Sequence, residues 1–315
     1  MEKRTCLIKA SEITRAAELI RAGELVAFPT ETVYGLGANA LDAAAVEKIY
    51  QAKGRPAGSP LIVHVDSVEM ARSLVLDWPE NANLLARKFW PGPLTLVLAK
   101  KLNVPARVTG GLDTVGIRMP AHPTALALIQ RAGVPVAAPS ANRFTELSPT
   151  TAAHVRESLG DRVSMILDDG RTDVGIESTV ISLAGPEPTL LRPGMISLAQ
   201  IEAVIGPVRT TPGLDRVIHS APGMHRKHYS PKTPLFLVES GPLHAGRGAY
   251  LWRTRPLLAA QSIRMPTDPH SYGARLYEIL HEMDAQGWDW IAVEMPPREG
   301  DWAAIADRLQ RASET

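Results

Sequence analysis

The chain of 315 residues has a single cysteine, Cys6. One thiol closes no intrachain disulfide and builds no Cys-rich zinc site, which suits a reducing compartment. Aromatic residues are few, with 4 Phe, 6 Trp and 6 Tyr, so a base-stacking platform for nucleic acid is not expected. Charge of one sign is also missing. Lys plus Arg number 34 against 33 Asp plus Glu, and no third of the chain is a basic arm. No apolar run approaches the ~18 residues of a membrane span, and Met1–Lys9 lacks a signal-peptide core. A soluble, cytoplasmic protein is expected.

Catalytic signatures are missing too. There is no Gly-x-x-x-x-Gly-Lys-Ser/Thr loop and no Gly-x-Ser-x-Gly elbow. Gly35-Leu36-Gly37-Ala38-Asn39-Ala40 formally matches a relaxed dinucleotide fingerprint. However, Thr30–Tyr34 separate it from the preceding apolar run, whereas the fingerprint needs a tight turn. His225 and His228 lie three apart, but flanking Pro and Gly disfavour a helix, so no structural metal is expected there.

What the chain does have is 45% hydrophobic residues, enough for a core, and a length that suits two domains. Ser11 is the expected cap of a helix with Ile13, Ala16, Ala17 and Ile20 on one face and Gly23 as its stop. A strand at Leu25–Phe28, ended by Pro29, comes next, then a helix from Asp42. Strands follow at Leu61–Val65, Leu94–Leu98, Gly116–Met119, Val134–Ala138, Met165–Leu167 and Thr179–Leu183. Helices near 68–76, 81–89, 123–132, 150–159 and 197–205 alternate with them. Such mixing predicts an α/β sheet. After Gly206 a Pro-, Gly-, His- and Arg-rich stretch has no period. Residues 235–315 then predict strands near 235–238, 249–252 and 291–294 and helices near 271–286 and 301–312. The expected division is 1–206, a linker 207–233, and a smaller α/β domain 234–315.

Loops between these elements present cations, hydroxyls and amides. They are Pro29–Gly35, Lys53-Gly54-Arg55-Pro56, Ser59-Pro60 before the strand bearing His64, Thr114 and Arg118 around a strand, Pro139-Ser140-Ala141-Asn142, Gly175–Thr179 and Leu190–Gly194. Strand ends are where open α/β sheets put ligand sites. Lys53, Arg55, Arg118 and Arg192 supply about as many cations as a triphosphate with its metal and a carboxylate would need, and arginine's fork matches both anions.

Pro29–Gly37, Lys53–Pro56, Pro60–His64, Trp90–Thr95, Arg118–Pro120, Pro139–Asn142, Ser148–Thr151, Glu177–Thr179 and Arg192–Gly194 resemble, in order, the YrdC-like domain. Pro222-Gly223-Met224 and His228-Tyr229-Ser230-Pro231 are similar to the linker of the long, two-domain L-threonylcarbamoyladenylate synthases. That resemblance implies a twisted open YrdC-like sheet followed by a smaller Rossmann-like domain. It implies an enzyme that joins L-threonine, bicarbonate and ATP, with Mg²⁺, and releases pyrophosphate; transferase proteins then pass the product on, so tRNA is involved only indirectly. By the same resemblance, threonine meets Thr32, His64, Arg118, Ser140 and Ser178. ATP meets Lys53, Arg55, Ser59, Thr114, Asn142, Thr150, Arg192 and Tyr229, with Lys53 and Arg55 catalytic through charge. His225-Arg226-Lys227-His228-Tyr229 is the densest basic cluster and suits a lid. One departure is plain: Arg143-Phe144-Thr145-Glu146 stands where the family usually has Ser-Gly. A carbamoyl-adenylate-forming transferase of the same domain type would need acylphosphatase-like and zinc-finger segments, for which the chain has no room. The other alternative is a double-stranded RNA-binding module, against which the flat charge distribution weighs.

Overall fold

The computed structural model describes residues 8–56, 58–210 and 228–314. His225, Arg226 and Lys227 of the expected lid therefore lie outside the described residues, as does most of the linker. The described elements, in chain order, are α1 (Ala10–Arg21), β1 (Val26–Pro29), β2 (Tyr34–Asn39), α2 (Ala43–Lys53), β3 (Ile62–His64), α3 (Val68–Leu74), α4 (Glu80–Phe89), β4 (Leu94–Ala99), α5 (Ala106–Thr109), β5 (Thr114–Arg118), α6 (Pro123–Ala132), β6 (Val136–Ala137), α7 (Ala152–Leu159), β7 (Met165–Ile166), β8 (Thr179–Ser182), β9 (Thr189–Arg192), α8 (Leu198–Ile205) and β10 (Arg209–Thr210). The second group is β11 (Leu235–Val238), β12 (Gly248–Trp252), β13 (Gln261–Arg264), α9 (Pro269–Asp284), β14 (Trp290–Glu294) and α10 (Ala303–Ser313).

The first group forms a mixed sheet in the order β10-β9-β8-β4-β5-β3-β6-β2-β1-β7. The second forms a parallel sheet, β11-β14-β12-β13. Both agree with the α/β expectation; β13 carried too little apolar alternation to be read from sequence. The expected cap of α1 is wrong by two residues. Lys9 is the N-cap, and its N–H is met by the Glu12 carboxylate at 3.2 Å, which leaves Ser11 inside the first turn. Asp42 does cap α2, accepting from the N–H groups of Ala44 and Ala45.

The Gly35–Ala40 stretch is not a phosphate loop. It is β2, hydrogen-bonded to β1 on one side and β6 on the other, and buried through Ala38. A Cβ on Gly37 would stand 2.7 Å from the Phe28 ring and 2.9 Å from Val136, so this glycine serves strand packing. This agrees with the missing tight turn that set the dinucleotide fingerprint aside.

The two sheets are joined by a shared core. Val33, Leu147, Ile176 and Tyr229 pack in one apolar cluster with Leu235, Leu276, Tyr277, Ile305 and Leu309. Burying each such side chain contributes about 1.5–3 kcal/mol, so the second domain leans on the loops of the first through apolar surface. Gly175 faces Gly273 of α9 closely: a Cβ on Gly175 would lie 2.4 Å from the Gly273 carbonyl oxygen.

Candidate active site

Sheet register gathers residues that are far apart in sequence. His64 pairs across from Arg118 at the ends of β3 and β5, and Arg192 on β9 pairs across from Val180 on β8. Gly35, just past the β1–β2 hairpin that carries Thr32, bridges to Ser140. The result is one half-open cavity, with about 520 Å³ between atoms counting the space at its mouth, lined by Thr32, Arg55, His64, Arg118, Ser140, Ser178, Arg192 and Tyr229 among others. Eight of the expected site residues thus meet in one hollow.

Five do not reach its wall. Lys53 is buried, and its Nζ donates to the carbonyls of Ser140 and Asn142, each at 2.5 Å, so it braces the turn that carries Ser140. Burial, with the charge of Arg55 added, holds that amine well below its usual range. The Asn142 side-chain amide donates to the Arg143 and Glu146 carbonyls. Ser59 is buried, its carbonyl taken by the Tyr50 hydroxyl. Thr114 is half-buried at the start of β5, and the Thr150 N–H faces His154 Nδ1 at 3.4 Å.

The three arginines are held differently. Arg118 donates from Nη1 to Thr32 Oγ1 at 3.0 Å, and its Nη2 lies 2.8 Å from Glu31 Oε1, an ionic contact off the hydrogen-bond axis. Arg192 donates to the Ser178 carbonyl from Nε and Nη2, and to Ser178 Oγ at 3.1 Å. Arg55 donates to the Pro60 carbonyl at 3.2 Å; burial lowers it to about 10, so it stays charged near neutrality. Among the described residues, the Nε atoms of Arg55 and Arg118 and the Tyr229 hydroxyl are buried without a hydrogen-bond partner. Buried donors left unmet are costly, and an anionic ligand removes that cost.

His64 is pushed down to about 3, first by burial and then by Arg118, so it is a neutral ring in the cavity wall. Tyr229 sits at φ +61° and Thr145, in the loop that departs from the usual Ser-Gly, at φ +73°. The Ser230 N–H donates to the Thr145 carbonyl, so the segments that carry these two strained residues are tied together beside the cavity.

The sequence reading left Glu177 off its site residues. This carboxylate lines the cavity and accepts from Ser148 Oγ at 2.6 Å, from the Tyr277 hydroxyl and from Arg308 Nε at 2.7 Å. Burial alone would raise it; Arg308, then Arg192, outweigh that and hold it below its usual range. Glu177 stood inside a motif read for its hydroxyls. Among the described residues no group of three or more His, Cys, Asp or Glu could hold a metal ion. Glu31 and Glu177 are both committed to arginines, so these residues do not form a protein site for Mg²⁺.

An α/β sheet whose strand ends gather three guanidinium groups and several hydroxyls in one cavity suits a binding site for small anionic molecules. Residues 18–194 match the family model described as telomere recombination, and residues 196–314 match that of the threonylcarbamoyl-AMP synthase C-terminal domain. The chain is 44% identical to threonylcarbamoyl-AMP synthases of Pyrococcus abyssi, over 92% of this chain and 90% of that one, and of Bacillus subtilis, over 96% and 93%. It is also similar to the crystal structure of Pyrococcus abyssi Sua5 complexed with L-threonine, at TM-score 0.92 and 43% identity, covering 97% of this chain and 95% of that one. The chain belongs to the threonylcarbamoyl-AMP synthase family.

Proposed function

We propose that this chain makes L-threonylcarbamoyladenylate from L-threonine, bicarbonate and ATP and releases pyrophosphate. The observation that carries the reading is the convergence of Arg55, Arg118 and Arg192 with the hydroxyls of Thr32, Ser140 and Ser178 in one cavity. Threonine's carboxylate faces Arg118, whose plane is set by Glu31 and Thr32. Ser140, Ser178 and neutral His64 meet its ammonium and alcohol. The amine, once deprotonated, adds to the carbon of bicarbonate; a C–N bond forms and water leaves, giving a carbamate. A carbamate oxygen then attacks the α-phosphorus of ATP, and the bond to the pyrophosphate oxygen breaks.

Negative charge grows on pyrophosphate as it departs, and Arg55 and Arg192, preset by their carbonyl contacts, stabilise it without reorganising. The Tyr229 hydroxyl belongs to the same side. Lys53, Ser59, Thr114, Asn142 and Thr150 stay on the nucleotide side behind the wall, Lys53 acting through the Ser140–Asn142 turn. Any Mg²⁺ travels on the ATP phosphates. The adenylate then passes to a threonylcarbamoyl transferase that acts on tRNA, and the single cysteine agrees with a cytoplasmic setting.

Duplex RNA is a poor fit, because the three arginines are each under 8% exposed and lie inside a hollow. The discriminating assay is pyrophosphate release, omitting threonine or bicarbonate in turn. Release should require both; release with either one missing contradicts the proposal.

A further inference from the structure

Arg308 lies on α10 with Ala304, Ile305 and Ala312, on the face that packs against the rest of the protein, and its side chain has no exposed surface. A buried guanidinium is costly unless its donors are met. Here Nε donates to Glu177 Oε2 at 2.7 Å, Nη2 to the Pro193 carbonyl at 3.0 Å and Nη1 to Asp307 Oδ2 at 2.5 Å. The same guanidinium lies 5.2 Å from the centre of the Tyr229 ring. Of these partners Glu177 and Tyr229 line the cavity, and Pro193 adjoins it in sequence, whereas Asp307 does not reach it. Glu177 precedes Ser178, Pro193 follows Arg192, and Tyr229 is itself part of the wall. Simple adhesion between the domains needs no such fork. The exposed pair Arg171–Glu278 joins them at 2.5 Å without reaching the cavity.

We propose that Arg308 is a positioning residue for the adenylation reaction. It braces Glu177–Ser178, Arg192–Pro193 and Tyr229 together, and through it the second domain takes part in chemistry carried out in the first. The inference rests on the function proposed above. A lysine at 308 would keep the charge beside Glu177, but a single ammonium cannot also hold the Pro193 carbonyl and cover the tyrosine ring.

The test is Arg308→Lys in the full chain, with kcat and KM for threonine and ATP measured at 25 °C and a thermal melt alongside. A 1 Å displacement of reacting groups costs up to about 100-fold, so kcat should fall by about 10- to 100-fold in protein that is still folded. Glu278→Gln, which breaks the exposed pair, should leave kcat within about twofold. A lower melting temperature with unchanged kcat and KM would make Arg308 structural only and overturn the inference. If Arg308→Lys does not fold, Tyr277→Phe carries the test, since it keeps the ring and removes the hydroxyl on α9 by which the second domain, besides Arg308, holds Glu177. A kcat fall of about threefold or more supports the bracing, and an unchanged kcat overturns it. An unmodified chain without threonine- and bicarbonate-dependent release would overturn the functional reading and this inference together. An active parent with a normal Arg308→Lys would overturn this inference alone.

Discussion

Guanidinium groups at Arg55, Arg118 and Arg192 are useful because they are buried, so their attraction for phosphate and carboxylate is less screened than at the surface. The same burial governs His64. Its folded value of about 3 lies below its ordinary 6.5, so the unfolded chain binds the proton first. The His64 contribution to stability is whole above pH 6.5 and is lost as pH falls from 6.5 toward 3, at up to about 1.4 kcal/mol per pH unit. His154, lowered to about 4 by burial and then by His281, adds a smaller term because it is partly solvated. Unfolding free energies at pH 7 and pH 5 should therefore differ, and His64→Gln should shrink that difference by about 2 kcal/mol. An unchanged difference would mean His64 is not buried as neutral imidazole. At this scale the site was legible where residues sit in short contiguous motifs, such as Thr32 in its hairpin and Ser178 beside Glu177. Arg308 was not read, although its place on the stripe of Ala304, Ile305 and Ala312 is a periodic signal. A charge on an apolar stripe marks a buried ion pair whose partner only the fold can name.

Elements decide which motifs meet. In β2 the glycines imitate a phosphate loop, but the residues separating them from the apolar run argue against one, and the hydrogen bonds to β1 and β6 agree. Helices with clear caps, such as α2 behind Asp42, were readable because capping is local chemistry. Short strands such as β13 were not, because pairing partners rather than composition create them. Gly175 meets α9 closely where the two domains join. Gly175 has φ +78°, and its missing Cβ leaves room for the Gly273 carbonyl. Gly175→Ala combines left-handed backbone strain with a backbone clash, and should cost at least about 2 kcal/mol. A chemical-denaturation curve within about 0.5 kcal/mol of the parent would show that α9 yields without cost.

For the whole molecule, the two sheets are joined behind the cavity: a mixed sheet gathers the cavity residues, and the two helices that accompany the parallel sheet reach Glu177 through Tyr277 and Arg308. The α/β class and the clustering of polar strand ends were visible in the sequence; the contact of the second domain with Glu177 was not, since Arg308 and Glu177 are 131 positions apart. The central claim is that one cavity holds amino acid and nucleotide side by side and joins them through bicarbonate. Its most direct test is the mass of the product formed from ¹³C-bicarbonate, L-threonine and ATP. The account predicts a single adenylate that contains threonine and the ¹³C label together. An adenylate carrying threonine without the label, or the label without threonine, would contradict it.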